Sequence, residues 1–487
     1  MRHPRRLASR VAATLLPVAL LGTACSGGGD DTAPQGGEAA PEETAPSVPL
    51  SPTAGAPGVG DPYYPGAGNG GYDVGHYALD LTWDPAAMRL AGTATLTATA
   101  TQDLSSFDLD LADVDVTAVT VDGSDARWDG PSGGEMVVTP AQPLARDAAF
   151  TVEVAYGATP LTADGSDAFA PGWFGNDGHM FVLFEPNGAP TLFPVNDHPT
   201  DKATYEFRIT APADLEVAAN GLLTGTEDGA GVKTWSYESS HPMASYLVQI
   251  VISDLKFEES TGPGGLPIRH AIDTGTIDKV DPAVDRIGDM IQFYSDRFGP
   301  YPFEAYGLVV LDAPLGVALE TQTLSTFDTT MAGDEDVVAH ELAHQWFGDD
   351  VSVASWQDIW LNEGFATYAQ WMWTEDRGGA TADAMAVDAN ANPSSYPLPP
   401  GDPGAGRMFD GSVYQRGALT LHVLRRTIGE DDFFELLKTW VDRYGGDAAG
   451  TADFEALAEE VSGQELTPLF DAWLRAPAMP DLDDWLS

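Results

Sequence analysis

The stretch Val338-Ala339-His340-Glu341-Leu342-Ala343-His344 constrains this chain more than any other. Residues four apart share one face of a helix. His340 and His344 can therefore offer two imidazoles to one point, with Glu341 beside them. This H-E-x-x-H pattern suits a single zinc ion, with the glutamate placed to take a proton from water at the metal. A third protein ligand is needed, with one coordination position left open. Glu363 is the candidate, with 18 residues between it and His344, in Leu361-Asn362-Glu363-Gly364-Phe365-Ala366.

The bland alternative is a packed helix that happens to carry two histidines. The surroundings argue against it. Asp334, Glu335 and Asp336 sit where a helix N-terminus favours acids, and Gly348 is a plausible stop. Val337, Val338, Leu342 and Phe347 can bury the rest of the helix. Trp360 to Trp373 then reads as a second helix, with Glu363 near its start. Two packed helices that both give ligands to one metal form a specific arrangement.

His340-Glu-Leu-Ala-His344, the 18-residue spacer and Asn362-Glu363-Gly-Phe-Ala resemble the zinc aminopeptidases of the aminopeptidase N family, the gluzincins. Further stretches resemble the same family: Phe184-Glu185-Pro-Asn-Gly-Ala, Phe193-Pro-Val-Asn-Asp197-His-Pro, Lys202-Ala-Thr-Tyr and Ala219-Asn220-Gly221. The resemblance runs from about Tyr72 to the end. It implies an α+β multidomain fold, with an antiparallel β sandwich or saddle followed by a thermolysin-like, mainly helical zinc catalytic domain. It also implies peptide substrates with a free N-terminus and one Zn2+ held by His340, His344 and Glu363.

The resemblance assigns further residues. Leu315-Gly-Val-Ala-Leu-Glu320-Thr-Gln-Thr resembles the family's G-A-M-E-N strand, in which the glutamate anchors the substrate's α-amine. Val317 stands for the glycine and Thr321 for the asparagine. Glu185 matches a residue that also binds that amine. Tyr414-Gln-Arg-Gly417 resembles the Y-x-(K/R)-G segment, whose tyrosine donates to the oxygen that becomes negative during attack. Glu341 and Tyr414 are thus the expected catalytic pair. Asp358 is a weaker candidate for orienting a ligand histidine, and a helix N-cap is the simpler reading of it. Longer relatives carry a further helical domain over the cleft. Without one the cleft is expected to be more open.

Before this core the chain opens Met-Arg-His-Pro-Arg-Arg, then Leu7 to Leu21 is mostly apolar, then Gly22-Thr23-Ala24-Cys25. A basic start, a short apolar core and small residues read as a signal peptide over 1–24. The apolar run is too short for a stable span. Cys25, the single cysteine, follows directly and resembles a lipobox cysteine that becomes lipidated. Ordinary signal cleavage is the alternative. Either way the protein is expected to be exported, membrane-bound only through a lipid anchor or secreted. Residues 25–71 are Gly, Pro, Ala, Ser, Thr and acids, and read as a disordered tether.

Formal net charge is −51, from 23 bases and 74 acids. Removing residues 1–24 takes away Arg2, Arg5, Arg6 and Arg10 and no acid, leaving 19 bases and a balance of −55. That argues against nucleic acid and against charge-driven binding to anionic lipid. Residues 72–258 read as the β domain. Thr93-Ala-Thr-Leu-Thr-Ala-Thr-Ala-Thr alternates, and Phe107–Leu111, Val114–Val121, Phe150–Val154, Lys202–Thr210 and Tyr246–Ile252 are further strand-like runs. Residues 259–487 read as the catalytic domain. It has strands at Pro267–Asp273, Tyr306–Leu311 and the run through Glu320, and helices at Asp281–Phe298 and Asp410–Ile428. Phe433–Tyr444, Phe454–Val461 and Leu469–Leu474 read as helical too, and Gly378–Asp410 as an irregular excursion. A zinc endopeptidase of the same fold is the nearest alternative function, and a non-catalytic peptide-binding lipoprotein a more distant one.

Overall fold

Alternation decides the first half of the chain. In Tyr72–Asp84 the side chains of Tyr77, Leu79, Leu81 and Trp83 are buried, while Asp80, Thr82 and Asp84 face water. Such a period of two buries one face of a sheet. The computed structural model describes residues 50–161, 171–176, 178–276, 285–313 and 315–486. The expectations for 1–24, for Cys25 and for tether residues 25–49 fall outside these.

Eight strands form the main sheet, in the order Leu222–Asp228, Val232–Met243, Ala203–Pro212, Tyr72–Asp84, Arg89–Ala100, Ala149–Ala158, Val114–Val121 and Ser124–Asp125. All neighbours are antiparallel except Ala203–Pro212 beside Tyr72–Asp84. A parallel pair needs a long connection, which the intervening strands supply. A second sheet joins Thr53–Ala54, Leu104–Asp110, Glu135–Thr139 and Arg127–Ser132. A third joins Gly172–Asn176, His179–Leu183, Ile250–Ser253 and Glu216–Ala219, and its strand His179–Leu183 leads directly into Glu185. The strand expected over Tyr246–Ile252 is split. Ser245–Leu247 is a 3-10 turn, and only Ile250–Ser253 enters the sheet.

The expected tether needs correction over 50–71. Thr53–Ala54 pairs in parallel with Leu104–Asp110. The Asp61 carboxylate is buried and accepts hydrogen bonds from the Tyr63, Tyr64 and Trp356 amides and the Ser355 hydroxyl. His198 Nε2 lies 3.4 Å away. Burial works against the Asp61 charge, yet the His198 ring and the three amides together hold it far below the usual carboxylate range. A segment poor in apolar residues is thus ordered by polar bonds, with Tyr63 and Tyr64 packing against a core built largely by others.

The second half carries a four-stranded sheet: Leu255–Thr261, Pro267–Asp273, Leu308–Leu311 and Ser325–Asp328. Its first strand spans the boundary expected at 258/259. Around it lie α1 (Ile287–Phe298), α2 (Glu335–Ala343), α3 (Trp360–Asp376), α4 (Ala382–Asn390), α5 (Gly411–Ile428), α6 (Glu430–Tyr444) and α7 (Thr451–Ser462). The helical run expected at Leu469–Leu474 is present and a little longer, a four-residue turn Thr467–Phe470 followed by a π turn at Asp471–Arg475. Helix α4 corrects the irregular excursion expected at 378–410. Its run is alanine-rich, which favours helix, and Thr381 caps it by accepting from the Ala384 amide at 3.1 Å. Trp346, Trp356, Trp360, Trp440 and Trp473 are wholly buried in the core that packs these helices. No helix among the described residues is long and apolar enough to cross a membrane.

Candidate active site

Helix α2 starts where the acids stand. The Asp334 side chain accepts from the Asp336 amide at 3.0 Å, and Glu335 and Asp336 occupy the first turn. The regular helix ends at Ala343, with His344 as its last cap, and tighter turns lead on to Gly348. Helix α3 packs beside α2 and brings Glu363 in its first turn.

These two helices bring the three expected ligands together. The His340 and His344 rings lie 4.9 Å apart, centroid to centroid. Glu363 Oε2 is 3.2 Å from His340 Nε2 and 3.4 Å from His344 Nε2. The donor atoms of all three lie within 4.8 Å of one another, and all three residues are buried. His344 is oriented by its other nitrogen, as Nδ1 lies 3.1 Å from the Phe347 carbonyl oxygen. That leaves Nε2 with its lone pair toward the centre, the tautomer a metal requires. Two imidazole nitrogens and one carboxylate oxygen, converging and buried, fit a zinc ion.

Glu341, Glu320 and Glu185 line the same cleft, a cavity of about 580 Å³. Glu320 and Glu341 each bring an oxygen within 4.8 Å of a His344 nitrogen, and Glu185 and Glu320 do the same with Glu363. One oxygen of Glu185 and one of Glu320 are buried without a hydrogen-bond partner among the described residues. Burial first, and then repulsion from Glu320 and Glu363, pushes the Glu185 carboxyl well up. Burial likewise raises Glu320 and Glu341. These are anionic sites short of a cation. Leu183, Val317, Met331, Val337 and Phe409 give the cleft apolar walls, and no lysine or arginine among the described residues lines it.

Tyr414, near the start of α5, stacks on His340 with centroids 5.9 Å apart and planes 21° apart. Burial, then the carboxylates of Glu363 and Glu185, push its hydroxyl far above its usual range, so it stays protonated.

Comparison with known proteins matches this arrangement. Residues 74–247 match the Peptidase M1 N-terminal domain, and residues 283–473 match the Peptidase family M1 domain. An M1 zinc metallopeptidase from Deinococcus radiodurans is 35% identical, with a TM-score of 0.81, over 87% of this chain and 98% of that one. A mutant of that protein bound to a Tyr-Ser-Ala substrate gives 35% and 0.82 over the same share of each. Aminopeptidase M1-C from rice is 31% identical over 61% of this chain and 37% of its own length. Mouse endoplasmic reticulum aminopeptidase 1 is 29% identical over 64% and 37%. The chain belongs to peptidase family M1.

This M1 chain spans well under half of the curated plant and mouse relatives it matches, whereas it covers nearly all of the Deinococcus enzyme. Of the residues singled out beforehand, His340, Glu341, His344, Glu363, Glu320, Glu185 and Tyr414 all meet in one cleft. Asp358 does neither thing expected of it. It accepts from the Thr451 hydroxyl at 2.6 Å, in a turn capped by Ser355, and touches no histidine. The run Leu315–Thr323 is not a ladder strand either. It makes one bridge, Leu319 to Thr326, and then turns. Lys202 proves to be a cross-link, with its ammonium donating to the Asp349 and Asp350 carbonyls at 2.7 and 2.8 Å just past the metal helix. Burial lowers its pKa to about 8.

Proposed function

We propose that this protein is an exported zinc aminopeptidase that removes residues from the free N-terminus of peptides. The observation that carries this is the pair of unpartnered buried carboxylates, Glu185 and Glu320, set beside the His340-His344-Glu363 cluster. A substrate ammonium is the cation they lack. With the amine held there, the first peptide carbonyl is the one within reach of the cluster.

Zinc bound by His340, His344 and Glu363 would polarise the scissile carbonyl and acidify the attacking water. Glu341 accepts the proton of that water and delivers it to the leaving amine. The Tyr414 hydroxyl donates to the oxygen as it gains charge. Glu185 and Glu320 keep the ammonium fixed, so a blocked terminus leaves buried charge unpaired. The aminopeptidase names of the curated relatives and the tripeptide bound to the Deinococcus protein support this reading.

The test is hydrolysis of aminoacyl fluorogenic amides and their N-acetylated twins, with and without a chelator. Chelator-sensitive cleavage of the free-amine set alone is expected. Equal cleavage of the blocked set would make the protein an endopeptidase. Export rests on residues 1–24 and lipid anchoring on Cys25. Cys25→Ser should move the protein from the membrane to the soluble fraction, and an unchanged distribution would remove the anchor.

A further inference from the structure

The turn that follows Glu320 is clamped from two sides. Thr323 has φ +66°, a conformation that a β-branched side chain rarely adopts. Such a residue persists only where its surroundings over-determine it. From the strand-rich half, the Asn220 amide donates to the Gln322 carbonyl at 2.6 Å, and the Gly221 amide donates to the Thr323 hydroxyl at 2.8 Å. Gly221 can approach because it has no side chain: its φ is +74°, and a Cβ there would lie 2.0 Å from the Glu238 carbonyl oxygen.

The other clamp is Gln345, the residue after His344. Its side chain is fully buried. Nε2 donates to the Glu320 carbonyl at 2.9 Å and to Asp349 Oδ2 at 2.6 Å. Oε1 accepts from the Thr323 amide at 2.9 Å, and the Tyr301 hydroxyl lies 3.0 Å from it. The neighbours fix which way the amide faces. A carbonyl and a carboxylate can only accept, and a backbone amide can only donate. One side chain, rooted beside a metal ligand, thus grips the backbone of Glu320 and the strained Thr323 together.

We propose that Gln345 is a positioning residue that sets the spacing between the amine-binding Glu320 and the His340-His344-Glu363 cluster, and so enforces selection of a free N-terminus. This rests on the aminopeptidase reading above. Gln345 is buried behind the cleft and is not among the residues that line it. Its donors, aided by Asp349, hold the Glu320 backbone at a fixed offset from the metal helix. Without them the Thr323 turn relaxes, and the Glu320 carboxylate loses its register with Glu185 while the metal ligands stay in place.

The experiment uses full-length protein and one aminoacyl fluorogenic amide with its N-acetylated twin. The readouts are kcat/KM on each and zinc per chain. In Gln345→Met, which keeps the shape and removes the hydrogen bonds, the free-to-blocked ratio should fall on the order of 10-fold or more, since about 1 Å of misplacement can cost 100-fold. Zinc should stay near one per chain. Asp349→Ala, which releases one of the two Gln345 donors, should lower the ratio in the same direction but less, and it decides the matter if Gln345→Met does not fold. A ratio equal to that of the unmodified protein, or a fall in zinc that parallels activity, would overturn the positioning role. An unmodified protein with no preference for the free amine would instead remove the aminopeptidase reading, and this proposal with it.

Discussion

Gly364 and Gly417 face each other where α3 crosses α5, and a Cβ on either would stand 2.9 Å from the other's α-carbon. The two helices therefore meet backbone to backbone. The contact sits one residue after Glu363 and three after Tyr414, so it sets the position of the proposed ligand carboxylate and of the stacked tyrosine at once. Gly417→Ala should force the helices apart. Overpacking of this kind costs about 1–3 kcal/mol, and the shift of Tyr414 should lower kcat on the order of 10-fold. Thermal melts and kcat check this together. A variant with an unchanged melt and unchanged kcat would mean the crossing has slack.

The roles at the cluster separate cleanly by measurement. Glu341→Gln should retain zinc but lose activity by roughly 10²–10⁴-fold, the range for removing a general base. His344→Ala should lose the metal as well. Metal analysis beside turnover distinguishes them. Normal turnover in the first variant, or full metal content in the second, would reassign that residue.

The His340-His344 pair was legible in the sequence because helix geometry converts a spacing of four into one face. Glu363 stood out differently, as an acid near the start of the next helix with 18 residues between it and His344, a pattern that the family resemblance shares. The meeting of Glu185 with Glu320 was visible only through resemblance, since no periodicity brings Glu185, after a strand, to Glu320, before a turn. Gln345 was invisible: a glutamine next to a ligand histidine gives no sign that its amide reaches a turn 22 residues earlier. Composition misled at 50–71, where order comes from the buried Asp61 and Asn69 hydrogen bonds together with Tyr63 and Tyr64 packed against the core.

That segment yields a prediction. The Asp61 side chain is wholly buried and serves three amides and a hydroxyl. Asp61→Ala leaves those donors unsatisfied, which should cost about 3 kcal/mol. Denaturant unfolding measures it. Stability within about 0.5 kcal/mol of the unmodified protein would show that residues 50–71 add nothing to the fold.

Asp201 makes stability depend on pH. Burial first, and then repulsion from Asp73, raises its pKa to about 8. In the unfolded chain an aspartate titrates near 3.9. The folded state therefore binds the extra proton, so the contribution is complete below about pH 4 and lost as pH rises through 8. Asp201→Asn removes that linkage. Its stability should fall less steeply between pH 5 and 8, by on the order of 1 kcal/mol per pH unit. Melts across that range check it, and parallel curves for the two proteins would mean Asp201 is ionised in the fold.

Tyr414→Phe isolates a single hydrogen bond. The ring that stacks on His340 is kept, so packing and metal ligation should be unaltered. Only the hydroxyl is lost, and that hydroxyl stays protonated in its acidic surroundings. If it donates to the oxygen that becomes negative, its loss should appear in kcat, by roughly 10²–10³-fold. KM should change little, because the ground-state carbonyl asks less of the donor than the transition state does. Zinc content should stay at one per chain. A rise in KM with kcat preserved would place the hydroxyl in substrate binding rather than in transition-state stabilisation.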